Sequence, residues 1–184
     1  MKKWKRKKTD LILDKRYFRV RKDLVELPNG EVRDWIYLDK TDSPSAMVIG
    51  ITKDKKIVMN KQYRYLVGKI VMELPAGYLE KGESIEKAAR REFEEETGYK
   101  CRALVKLGSV WEEYGHLKHQ IYIFAAKDFK KTKQKIDPVE NIEVKLVDFD
   151  EAVKMVRQNK IPDAVSALAI LLLKEKIDRG EIKA

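Results

Sequence analysis

From Tyr17 to Leu74 short strand-like segments are separated by turn signals; at Ile85 the spacing changes to the helical period. Tyr17 to Leu27 and Glu31 to Leu38 read as strands on either side of Asn29-Gly30, a strong tight-turn signal, so the first forty residues read as a hairpin. A two-stranded hairpin alone is marginal, so it must pack on the rest of the chain or on a second copy of it. The turn-rich stretch Thr41-Asp42-Ser43-Pro44-Ser45 is the natural boundary, giving an N-terminal β extension over residues 1–40 and a main domain over 41–184. Beyond it, Ala46 to Thr52 and Ile57 to Gln62 form a second strand pair. Short strands follow at Ile70 to Leu74, Ala103 to Trp111, Gln120 to Ala126 and Ile142 to Phe149. Helices are predicted at Ile85 to Thr97, Asp150 to Gln158 and Asp163 to Ile177. This order predicts an α/β fold of the α+β type, a mixed sheet with helices on its faces.

The first helix carries the most information. Ser84 is a plausible N-cap, and Gly98 stands where a helix exits through a left-handed residue. At about 100° per residue, Ala88, Ala89 and Phe93 lie within about 80° of Ile85 and define the core-facing stripe. Glu92 and Glu96 fall inside the same arc, about 20° on either side of Ile85, while Glu94 points to the opposite side. Two carboxylates that share the direction of a core stripe need compensation. Salt bridging to Arg91 alone is one answer, but one arginine leaves Glu92, Glu95 and Glu96 under-neutralised. A hard divalent cation that collects several of these oxygens is the other answer. Glu73-Leu74-Pro75-Ala76-Gly77, just before the helix, reads as a strand ending in a rigid turn whose freed carbonyls can add ligands. A hard metal beside an accessible loop suits phosphate chemistry.

Composition narrows the partners. The 184 residues can bury one good core without staples. The formal charge is +10, but the basic runs at Lys2 to Lys8, Lys53 to Lys56 and Lys130 to Lys135 carry no interleaved aromatics, so no nucleic-acid partner is expected. The longest apolar run, Ala164 to Leu173, is about half of what a spanning helix needs, so no membrane partner is expected either. Cys101 is the one cysteine and there is no zinc spacing, which fits a reducing, cytoplasmic location.

Gly77, five residues, Glu83, seven residues, then Arg91-Glu92-Phe93-Glu94-Glu95-Glu96-Thr97-Gly98-Tyr99 resembles the complete Nudix box. The resemblance implies the Nudix fold, an α/β/α sandwich with the N-terminal antiparallel β extension added. It also implies a pyrophosphohydrolase using Mg2+ or Mn2+. Glu92, Glu95, Glu96 and the Ala76 carbonyl would be metal ligands, Arg91 would orient the carboxylates, and Glu83 would support the loop or a second metal. Lys61-Gln62-Tyr63-Arg64, the Glu73 to Gly77 stretch and Ile161-Pro162-Asp163-Ala164 are similar to the ADP-ribose and nucleotide-sugar pyrophosphatase branch. Membership of that branch implies a homodimer, and a nucleoside-diphosphate-linked small molecule as substrate. Arg64 would contact the diphosphate or terminal ribose, Trp35 would stack on adenine, and Glu73 would pair with Arg64 or line the site.

The chain departs from that branch in one loop. Glu112-Glu113-Tyr114-Gly115-His116-Leu117-Lys118-His119 stands where the branch carries Ser-Pro-Gly and then an acidic residue that activates water. His119 could act as base, Glu112 or Glu113 could swing in, or Glu95 could take the role. Tyr114 in the proline position also fits members that cleave dinucleoside polyphosphates. The expected reaction is therefore hydrolysis of ADP-ribose to AMP and ribose 5-phosphate. A dinucleoside polyphosphate or another nucleotide sugar such as GDP-mannose is the alternative substrate, and a non-catalytic ligand sensor is the alternative of another class.

Overall fold

The computed structural model describes residues 1–15, 18–40, 42–136 and 140–182. Tyr17 of the expected first strand and Thr41 of the expected boundary lie outside them. The chain divides into two compact units, Met1–Pro44 with Val110–Gln120, and Ser45–Ser109 with Ile121–Ala184.

In the smaller unit, β1 (Lys5–Lys15), β2 (Phe18–Glu26), β3 (Val32–Asp39) and the two-residue β9 (Leu117–Lys118) form a sheet in that order. β2 and β3 are the expected hairpin, in a register that sets Asp23 opposite Trp35. Its turn closes through Gly30 N donating to Leu27 O (2.9 Å), and Gly30 takes φ 87°, which a side chain would strain. β1 is an addition to the expected hairpin. Its sequence KRKKTDLILDK has no apolar alternation and nearly all of it is exposed, so backbone pairing to β2 holds it, helped by ion pairs such as Lys7–Glu26.

Among the described residues of the larger unit, a seven-stranded mixed sheet runs β11-β5-β4-β10-β8, with β6 on β5 and β7 on β4. The strands are β4 (Ser45–Ile51), β5 (Lys56–Arg64), β6 (Lys69–Glu73), β7 (Ala76–Tyr78), β8 (Tyr99–Trp111), β10 (Gln120–Lys131) and β11 (Ile142–Asp148). β10 runs parallel to β4, whereas β5 and β7 pair with β4 antiparallel. Every residue of β4 is buried, as a strand covered on both faces requires. One core joins Ala46 and Val48 to Val58, Ala88, Ala89, Phe93 and Phe124, with α1 (Ile85–Thr97) packed on β4. α2 (Phe149–Arg157) packs on β11 and on α3 (Ala164–Asp178), and α3 also reaches β4.

Helix α1 starts and stops where the sequence places it. The Ser84 side chain accepts from Lys87 N, and Gly98, at φ 67°, donates to Glu94 O. A distant segment closes its C-terminal end: Lys135 N donates to Glu95 O (2.8 Å), Gln134 Nε2 to Glu96 O (2.6 Å) and Thr132 N to Gly98 O (2.6 Å). The expected turn at Ala76-Gly77 is instead the short strand β7, because its residues pair with Met47 and Ala46.

Candidate active site

Within the larger unit, β5, β6, β7 and α1 bring Arg64, Glu73, Ala76, Gly77, Glu83 and the α1 glutamates together. Arg91 is the hub. Its guanidinium donates to Glu83 Oε1 (3.2 Å) and Oε2 (3.0 Å), to Tyr78 O (2.9 Å), to Glu92 Oε1 (2.7 Å) and to Glu95 Oε2 (3.1 Å). Burial alone would lower the Arg91 pKa, but this ring of acceptors raises it; in return Arg91 holds Glu83 below its ordinary value. Burial pushes the Glu92 carboxyl up, and Arg91 opposes that shift.

Glu96 is treated differently. It is 6% exposed, and its Oε2 accepts from Asn60 Nδ2 (2.8 Å) and Ala76 N (3.1 Å), both neutral donors. No Lys, Arg or His pairs with it among the described residues. Burial therefore drives its carboxyl well above the usual range, and the charges of Glu92, Glu140 and Glu73 push the same way. The Glu92 carboxylate lies directly against Gly77: a β-carbon there would overlap Glu92 Cδ, Oε1 and Oε2. This is the close approach that glycine alone permits.

At the edge of the cluster, Arg64 Nε donates to both oxygens of Glu73 (3.0 and 3.1 Å), and Arg64 Nη2 lies 2.8 Å from Glu73 Oε1. Burial pushes Glu73 up, while Arg64 pulls it back. The strand end leading to Ala76 is fixed by Leu74 N donating to Ser166 Oγ (2.9 Å), and Ser166 N donates to the α3 cap Asp163 (2.8 Å). Glu140, just before β11, raises the carboxyls of Glu73, Glu92 and Glu96 by its charge. Sequence reasoning missed Glu140 and Asn60. Glu140 sits in a loop with no local signal; Asn60 interrupts the apolar run Ile57-Val58-Met59, and a polar residue there is a readable flag.

The donor set fits a hard cation: clustered carboxylates, one of them buried without a cationic partner. Among the described residues no three acidic or imidazole side chains already converge as a cage, and Arg91 occupies oxygens of Glu92 and Glu95.

The remaining expected residues lie in the smaller unit. His119, 4% exposed, meets Glu112 Oε2 through Nδ1 (2.8 Å), and that bond holds Glu112 low. Glu113 accepts from Gly115 N (2.6 Å) and His116 N (3.0 Å), so its carboxylate is committed to its own loop. Tyr114 is exposed. Trp35 Nε1 donates to Gly115 O (3.1 Å), its ring stacks on His116 (5.6 Å between centroids) and it meets Trp4 edge-on (5.2 Å).

The NUDIX domain family matches residues 41–168. The chain belongs to the Nudix family. Nudix hydrolases in general need a divalent metal. The chain is 36% identical to the ADP-ribose pyrophosphatase of Bacillus subtilis over 83% of this chain and 82% of that one. It is equally 36% identical to the methanol dehydrogenase activator of Bacillus methanolicus, over 90% of each. A solved structure described as an ADP compounds hydrolase superposes with a TM-score of 0.88 over 100% of this chain and 98% of that chain, at 20% identity, which shows the α/β/α Nudix fold. No helix among the described residues is long and apolar enough to cross a membrane.

Proposed function

We propose that this Nudix chain hydrolyses the diphosphate of ADP-ribose, releasing AMP and ribose 5-phosphate. The observation that carries the reading is Glu96: a buried carboxylate held by neutral donors, one helical turn from Glu92, with its charge left uncompensated by the chain. Relatives named ADP-ribose pyrophosphatase from Bacillus subtilis and Saccharomyces cerevisiae support the substrate.

Glu92, Glu95, Glu96 and the Ala76 carbonyl would hold Mg2+ or Mn2+, which when bound neutralises charge on the phosphate oxygens and lowers the pKa of a water. Arg91 orients Glu92 and Glu95. Arg64, fixed by Glu73, offers its remaining guanidinium edge to the diphosphate. The base is one of Glu140, Glu95 and His119. The charge of Glu140 is felt at Glu92 and Glu96, which makes it a candidate beside Glu95, and His119 is engaged by Glu112 through Nδ1. Trp35 and Tyr114 would serve the adenine. Exposed apolar residues on the smaller unit, among them Trp4, Leu11, Ile12, Leu13 and Ile36, support pairing with a second copy. Residues 1–40 are then the dimerisation extension and 41–184 the catalytic domain, in the cytoplasm.

A second reading keeps the chemistry and changes the role to activation of a dehydrogenase; the 90% coverage of the Bacillus methanolicus activator favours it. A product assay with Mg2+ over ADP-ribose, GDP-mannose and diadenosine polyphosphates tests the first reading. AMP plus ribose 5-phosphate, from ADP-ribose in preference to the others, is expected. No turnover of any of them would leave a sensor.

A further inference from the structure

Asn60 stands where an apolar side chain belongs. Alternation along β5 puts it on the same face as Val58, which packs into the α1 core, and it is 1% exposed between fully buried Val58 and Met59 and the hairpin partner Glu73. Its Nδ2 donates to Glu96 Oε2 at 2.8 Å, and Ala76 N donates to that same oxygen at 3.1 Å. Two donors from two strands thus converge on one carboxylate oxygen, and the other oxygen accepts no hydrogen bond among the described residues. Asn60 Oδ1 is itself buried and without a partner, so the amide is not kept there for its own hydrogen bonding.

We infer that Asn60 is a positioning residue of the metal site: it fixes which Glu96 oxygen faces the dication without neutralising the charge the dication needs. This rests on the metal reading above. An arginine or lysine at position 60 would orient Glu96 equally well, but would take up its charge and compete with the metal. A leucine or valine would leave Oε2 with the Ala76 N–H alone, free to turn. Only a neutral donor does both tasks, and outer groups that orient a ligand in this way typically tune metal affinity strongly.

The test uses the full chain, with Asn60→Leu, Asn60→Val and Glu96→Gln beside the unaltered protein. Mn2+ uptake is read by the spin-resonance signal of free Mn2+, alongside thermal melting and steady-state kinetics. The two Asn60 variants are expected to melt near the unaltered chain, to bind Mn2+ about 10–100-fold more weakly, and to lose kcat at saturating metal with KM for ADP-ribose little changed. A folded Asn60 variant that binds Mn2+ within about threefold of the unaltered chain, while Glu96→Gln loses it, overturns the inference alone. Loss of the fold in both Asn60 variants also overturns it, since the amide would then serve the core. An unaltered chain that takes up no Mn2+ overturns the metal reading and this inference with it.

Discussion

Replacing Gly77 by alanine should separate the stability of this protein from its activity. The added β-carbon would occupy the space of the Glu92 carboxylate, the far end of a flexible side chain, so Glu92 swings aside and the backbone stays. Gly77 does not take a positive φ, and alanine at such a site stabilises by about 0.4–1 kcal/mol through the unfolded chain. Crowding costs about 1–3 kcal/mol in a packed site, so the net loss of stability lies between about 0 and 2.6 kcal/mol. The functional loss is larger in effect, because the displaced carboxylate leaves Arg91, now 2.7 Å away, and with it the place proposed for the metal. A misplacement of about 1 Å near the chemistry costs on the order of 100-fold, or about 2.7 kcal/mol of barrier. The assay is kcat/KM for ADP-ribose with Mg2+, beside calorimetric melting. Gly108→Ala serves as control, since its β-carbon would meet only Leu172 at 3.9 Å. A folded Gly77→Ala protein with activity within about threefold of the unaltered chain would show that Glu92 need not sit where it does, and would refute the ligand assignment.

Gly50→Ala should do the reverse: its β-carbon would stand 2.5 Å from Phe93 Cζ, a rigid ring in the core, so chemical denaturation should report a loss of about 1–3 kcal/mol or more. Glu140→Gln should lower kcat by roughly 100-fold or more if Glu140 is the base, with little change in Mn2+ affinity; unchanged kcat would return the role to Glu95 or His119. The burial-raised carboxyl of Glu96 makes its contribution to the stability of the metal-free chain in full only below the unfolded glutamate value of about 4.3. In that range both states bind the proton. Above it the native state binds more protons than the unfolded one, so this contribution is lost as pH rises through the higher folded value. Urea unfolding with a chelator, compared between the unaltered chain and Glu96→Gln, should show a difference that grows from acid to neutral pH and shrinks when Mg2+ is added. A difference that is flat with pH would contradict the burial argument.

The site was legible where one element carried it. Ser84, the stripe of Ala88, Ala89 and Phe93, and Gly98 sit on one helix, so a single period located Ile85–Thr97 and the inward direction of Glu96. β1 was not legible, because it buries almost nothing and has no alternation to read. β7 was hidden by Pro75 and Gly77, which signal a turn, although pairing with β4 makes Ala76–Tyr78 a strand. Arg64 with Glu73 was within reach, since the β5–β6 hairpin closes at Arg64 opposite Lys69. Contacts made across long separations, such as Asn60 with Glu96 or the charge of Glu140 on the cluster, leave no periodic trace in one sequence.

The clasp on the end of α1 has a consequence for motion. Glu95 and Glu96 lie in the last turn, the part of an isolated helix that frays first. Here three hydrogen bonds from Thr132, Gln134 and Lys135 hold the carbonyls of Glu95, Glu96 and Gly98. Protons on the amides of Thr132 and Lys135 should therefore exchange with solvent as slowly as those within the helix, so Glu95 and Glu96 ride on a terminus as stiff as a helix middle.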